Sequence, residues 1–173
     1  MTPIAHSVVG FLGWQNFAEK KTPAYLVLFI LIANIPDIDF LFYFVLGEKL
    51  VGLHQYYTHN VFFVALAAAI TWPWLKTQKE RLGLTLVAFS HLLMDFFTID
   101  AVPPIGFRLF FPFSRKLFNL GIFPNILKSN WAEVFSLHNL LTLGFEIVFF
   151  VMPVTLVYRK ELAGYLKIEQ WNK

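Results

Sequence analysis

Ile35-Pro36-Asp37-Ile38-Asp39 sets two carboxylates in the middle of an otherwise apolar run. Without these five positions, residues 24–46 would read as a membrane-spanning helix. A carboxylate at membrane depth is costly, and it faces a protein interior, a water-filled cavity or a bound cation. Pro36 removes a backbone donor, so the helix is expected to end or break there and turn both side chains toward a site. The competing reading ends the helix near Ile35 and leaves Asp37 and Asp39 in a solvated turn.

Composition favours the membrane. Hydrophobic residues make up 57% of the 173-residue chain, charged residues only 14%, and phenylalanine occurs 21 times. That is too apolar for an ordinary soluble domain of this size and points to one integral membrane domain, residues 1–173. The absence of cysteine excludes disulfides, thiolate metal sites and cysteine nucleophiles. The net charge of +3 comes from basic residues set between apolar runs. That is membrane flanking, and no nucleic-acid partner is expected. The first residues lack the positive start and small-residue cleavage site of a signal peptide, so they read as mature protein.

Residues 3–18 form an apolar helix that rises about 24 Å, marginal against a hydrocarbon core of about 30 Å. Residues 24–46, 60–75, 82–97 and 135–158 read as further apolar helices. The expected fold is all-α, an integral membrane bundle of about four transmembrane helices plus the N-terminal apolar helix. The connection 98–134, rich in proline and aromatic residues, reads as interfacial loops and short helices. One side of the threading carries Lys20, Lys21, Lys76, Lys79, Arg81, Arg159, Lys160, Lys167 and Lys173; the other carries Lys49, Arg108, Arg115, Lys116 and Lys128. The excess of nine over five assigns the first side to the cytoplasm.

Up-and-down threading then brings His6, Asp37, Asp39, His54, His59, His91, Asp95, His138 and Glu146 to one half of the bilayer, toward the non-cytoplasmic face. His91 and Asp95 are four apart and project from one helix face. Asp37 and Asp39 offer oxygens from the helix break, and His54 and His59 flank a short connection. Imidazole plus carboxylate suits zinc, with manganese or iron as alternatives, and more than four candidate ligands favour two or three ions. His138 and His54 also read as interfacial histidines, and Glu146 as an acid paired with a histidine or lysine inside the bundle. Arg108 and Arg115 can bind a substrate phosphate or sit at lipid headgroups.

In order along the chain, His6 with Gly10, Pro36-Asp37-Ile38-Asp39, His54-Gln55-Tyr56-Tyr57-Thr58-His59-Asn60, His91-Leu92-Leu93-Met94-Asp95 and Pro112-Phe113-Ser114 resemble a known family. They are similar to the inner-membrane metal-dependent hydrolases of bacteria and archaea, the LexA-binding membrane hydrolase group. That group is related in outline to zinc-dependent phospholipase C. The resemblance implies ligand roles for His6, Asp37, Asp39, His59, His91 and Asp95, with His54 as a ligand or a ligand's partner. Gln55 and Asn60 depart from the Arg and Ser usual in the family.

The resulting expectation is an inner-membrane hydrolase that cleaves a lipid or lipid-linked phosphoester through a metal-bound hydroxide, with Asp37 or Asp39 orienting or deprotonating the water. Membrane lipids are its expected surroundings. Two readings from other classes remain: an ion or proton transporter, and a non-catalytic membrane regulator with a structural metal site.

Overall fold

Threonine and proline open the first two helices by the same device. The computed structural model describes residues 1–39, 55–100, 105–127 and 135–164. Helix α1, Pro3–Phe17, is capped by the Thr2 hydroxyl, which accepts the Ile4 N–H at 3.2 Å. Helix α2, Pro23–Ala33, is capped in the same way by Thr22. In both, proline occupies the first turn, where its missing N–H leaves no hydrogen bond unmade. Asn60 caps α3, Val61–Thr71, its side-chain oxygen accepting the Phe62 and Phe63 N–H groups at 3.1 and 2.9 Å. A reciprocal capping box between Thr77 and Glu80 starts α4, Gln78–Phe97. Ser136 caps α5, Leu137–Val157, which passes through a π-helical turn at Ile147–Val151.

Two connections meet at one end of the bundle. Buried Glu80 accepts the Glu19 N–H at 3.1 Å and the Lys76 N–H at 2.8 Å, tying the α1–α2 turn to the α3–α4 turn. The Lys21 ammonium donates to the carbonyls of Trp14, Gln15 and Ala18, satisfying the open end of α1. The opposite end therefore gathers the start of α1, the end of α2, the start of α3 and the end of α4. Glycines let the helices close on one another: a Cβ on Gly10 would lie 2.9 Å from the Ile30 backbone, and one on Gly13 would lie 2.2 Å from Val87. Small residues at such crossings bring backbones together where lipid supplies no hydrophobic drive. Trp14, Phe29, Val64, Ala68, Leu84 and Ala88 fill the space between these four helices.

The all-α expectation holds among the described residues, where β structure is limited to isolated bridges, Thr98 with Phe123 and Phe107 with Phe118. The break expected at Pro36 within 24–46 is present, and α2 stops at Ala33. Asn34 ends it, its side chain donating to the Ile30 carbonyl at 2.8 Å and to the Ser7 hydroxyl at 3.1 Å. A 3-10 turn, Ile35–Ile38, follows, and the rest of that expected span lies outside the described residues. Among the described residues one helix, Leu137–Val157, is long and apolar enough to cross a membrane, while Pro23–Ala33 and Val61–Trp74 are shorter apolar helices. Residues 105–127 carry no helix, in place of the short helices expected in that connection.

Candidate metal centre

The centre forms where the α2 helix breaks. Once Asn34 and Pro36 have ended α2, the 3-10 turn directs Asp37 at the start of α3 and the end of α4. His59 precedes α3 immediately before its Asn60 cap, and His91 and Asp95 share one face of α4. One ligand atom from each of Asp37, His59, His91 and Asp95 lies within 4.8 Å of all the others. His59 Nε2 is 3.3 Å from His91 Nε2, 3.3 Å from Asp95 Oδ2 and 3.4 Å from Asp37 Oδ1. His91 Nε2 is 3.3 Å from Asp95 Oδ2 and 3.7 Å from Asp37 Oδ1. Zinc bonds of about 2.0–2.1 Å in a tetrahedron place ligand atoms about 3.3–3.4 Å apart. The donor set and its spacing fit a divalent ion.

Protonation follows from the outer hydrogen bonds. His91 Nδ1 lies 2.8 Å from the Ala33 carbonyl, which only accepts, so Nδ1 carries the hydrogen and a neutral ring presents a lone pair at Nε2. For His59 the partner is Thr58. The Thr58 hydroxyl donates to Asp39 Oδ2 at 2.9 Å, leaving its oxygen to accept from His59 Nδ1 at 3.1 Å. When neutral, His59 thus also turns a lone pair inward. Asp39 Oδ2 is steadied by the Gln55 N–H at 3.0 Å, donated from a residue at φ 69°. Both histidines are fully buried, and two carboxylates face them. A buried group of that charge needs a cation.

Asp95 divides its oxygens. Oδ2 faces the two histidines, while Oδ1 accepts from the Met1 ammonium at 2.6 Å and lies 3.4 Å from His6 Nε2. The His6 ring stacks on His91 with centroids 3.8 Å apart, and neither of its nitrogens has a hydrogen-bond partner though the residue is buried. A buried imidazole without a partner beside a carboxylate oxygen is suited to ligating a second ion.

The expected ligands separate into three groups. Asp37, His59, His91 and Asp95 form the four-atom group, with His6 against it. Asp39 stands one step out, and its nearest approach to His59 Nδ1 is 3.9 Å. Glu146 is buried but accepts the Thr2 N–H at 2.8 Å and the Thr2 hydroxyl, so it ties the start of α1 to α5. Exposed His138 binds the Asn125 carbonyl at 2.9 Å. Neither belongs to the four-atom group, and the partner of Glu146 is Thr2 in place of the expected histidine or lysine. His54 lies outside the described residues. Arg115 is exposed, whereas Arg108 is half-buried with its guanidinium 3.6 Å above the Tyr56 ring.

Sequence reasoning did not assign Thr58 or the Met1 amine. The adjacency of Thr58 to His59 was a signal, but its meaning depends on where Asp39 comes to rest. Asn60 takes up the capping work that a serine at that position performs equally well. No curated protein and no solved structure matches the chain. The family model of the YdjM inner membrane protein matches residues 1–163, and the chain belongs to that inner-membrane family.

Proposed function

We propose that this protein is a membrane-embedded, divalent-metal-dependent hydrolase acting on a phosphoester of a lipid or lipid-linked substrate. The observation that carries the reading is the set of four inward-facing ligand atoms of Asp37, His59, His91 and Asp95 within 4.8 Å of one another. Zinc suits this mixture of imidazole and carboxylate, with manganese or iron as alternatives. When bound, such an ion polarises a phosphoryl oxygen and lowers the pKa of water.

The chain's own residues supply the rest. Thr58 and Asp39 hold the proton on His59 Nδ1, and the Ala33 carbonyl holds it on His91 Nδ1. Asp37 contacts both histidines through Oδ1, and its side chain is 12% exposed. Its second oxygen is therefore the better placed to take a proton from an attacking water, because Asp39 Oδ2 already accepts two hydrogen bonds. His6 is the donor for a second ion, which would share Asp95 Oδ1 only by displacing the Met1 ammonium that now holds it.

In this reading the apolar segments 24–46, 60–75, 82–97 and 135–158 form four spans in the bilayer, with α1 beside them. The lysine-rich turns face the cytoplasm, and the centre lies near the opposite surface. An amphiphilic substrate reaches a site at that depth more readily than a soluble one.

The test is hydrolysis of phospholipids and model phosphodiesters by detergent-purified protein with zinc or manganese. Asp95→Ala should abolish turnover and remove metal while leaving helical content intact. Full activity in that variant would overturn the site assignment. Stoichiometric metal without turnover on any phosphoester would favour a regulator with a structural metal site.

A further inference from the structure

Arg108 leaves the backbone between two residues that touch the segment carrying His59. The Phe107 ring centroid lies 6.3 Å from that of His59, and the Leu109 carbonyl accepts the Val61 N–H at 3.0 Å. The guanidinium lies 3.6 Å above the ring of Tyr56, three residues before His59. Tyr56 is held in turn by Tyr57, with centroids 4.4 Å apart, and by Phe111 at 5.6 Å. Aromatic packing thus fixes the plane of the arginine, and the cation–π contact offsets part of its desolvation.

The polar end of this arginine is left unmatched. Arg108 Nη1 is buried and has no hydrogen-bond partner, and no carboxylate among the described residues forms an ion pair with the guanidinium. A buried donor of this kind is costly unless an acceptor arrives. A planar fork with a missing acceptor is matched by an oxyanion, above all a phosphoryl group, whose oxygens can take two parallel N–H bonds. Arg115 lacks such fixing: it is exposed.

We infer that Arg108, laid on Tyr56, is an anion clamp that holds a phosphoryl group at the mouth of the metal centre. The assignment rests on the phosphoester reading and adds the group that recognises the substrate's charge. The ligand chemistry is shared by a lipid headgroup and by free phosphate.

The experiment compares zinc-loaded wild type with Arg108→Gln, Arg108→Lys, Tyr56→Ala and Tyr56→Phe. For each protein, helical content, metal stoichiometry and phosphodiester turnover are recorded with ligand affinity. Inorganic phosphate is titrated in detergent, and phosphatidic acid is presented in nanodiscs. Arg108→Gln should weaken phosphoryl binding about ten- to a hundred-fold with metal content unchanged. Arg108→Lys should recover part of the loss, Tyr56→Ala should share it, and Tyr56→Phe should not. An arginine-dependent loss in both formats identifies phosphate itself as sufficient. A loss confined to nanodiscs identifies a lipid headgroup, and in either case the clamp is supported. Unchanged affinity in Arg108→Gln with metal retained overturns the clamp while leaving the hydrolase reading intact. Arginine-dependent binding without turnover in wild type keeps the clamp and removes the hydrolase. Failure of wild type to bind either ligand overturns the clamp.

Discussion

His59 and His91 face each other Nε2 to Nε2 at 3.3 Å while the Nδ1 of each is engaged elsewhere, by Thr58 and by the Ala33 carbonyl. Rings held this way direct lone pairs at one another whenever both are neutral, with Asp37 and Asp95 adding negative charge beside them. The arrangement is stable only around positive charge. The outer hydrogen bonds set this up, so the centre depends on residues that never reach its middle.

Thr58 is one of these residues. Thr58→Val removes the hydroxyl that joins Asp39 to His59 but keeps the shape of the side chain. Metal affinity should fall about ten- to a hundred-fold, as for other partners of metal-bound histidines. Thr58→Ser should stay near wild type. Competition with a chelating dye reads both, and wild-type affinity in Thr58→Val would contradict the relay.

Glu146 separates anchoring from ligation. Its carboxylate meets the Thr2 N–H and hydroxyl, so Glu146→Ala leaves buried donors without acceptors. The expected cost is about 1–3 kcal/mol of stability, with the metal count unchanged. Thermal unfolding in detergent beside elemental analysis distinguishes the roles. Loss of metal at unchanged stability would place Glu146 among the ligands.

Close helix contacts make a third prediction. A Cβ on Gly83 of α4 would fall 2.2 Å from both Cβ and Cγ of Phe17, near the root of a bulky side chain that cannot simply swing away. Gly83→Ala should destabilise the fold by about 1–3 kcal/mol. Gly144→Ala, where nothing lies within 4 Å, should be neutral or slightly stabilising in the same unfolding assay. Equal melting temperatures for the two variants would contradict the packing.

Local chemistry made much of the fold legible. Thr2-Pro3, Thr22-Pro23 and Thr77 with Glu80 are helix starts that sequence alone can read, because a cap depends only on its neighbours. The gathering of His6, Asp37, His59, His91 and Asp95 was legible because up-and-down threading sends alternate helix ends to the same side. The roles of Asp39 and Glu146 were not. Each is decided by a partner distant in sequence or by a side-chain direction, Thr58 for the first and Thr2 for the second. The break in the second helix was legible from Pro36, although Asn34 ends the helix slightly earlier.

The most direct test is elemental analysis of the detergent-purified protein, wild type beside His91→Ala. His91 supplies one of the four ligand atoms and its ring stacks on His6, so its loss opens both proposed positions. The account predicts two or more zinc-like ions per chain in wild type and their loss from a variant with unchanged helical content. A wild-type protein that takes up no ion after incubation with zinc or manganese would contradict it.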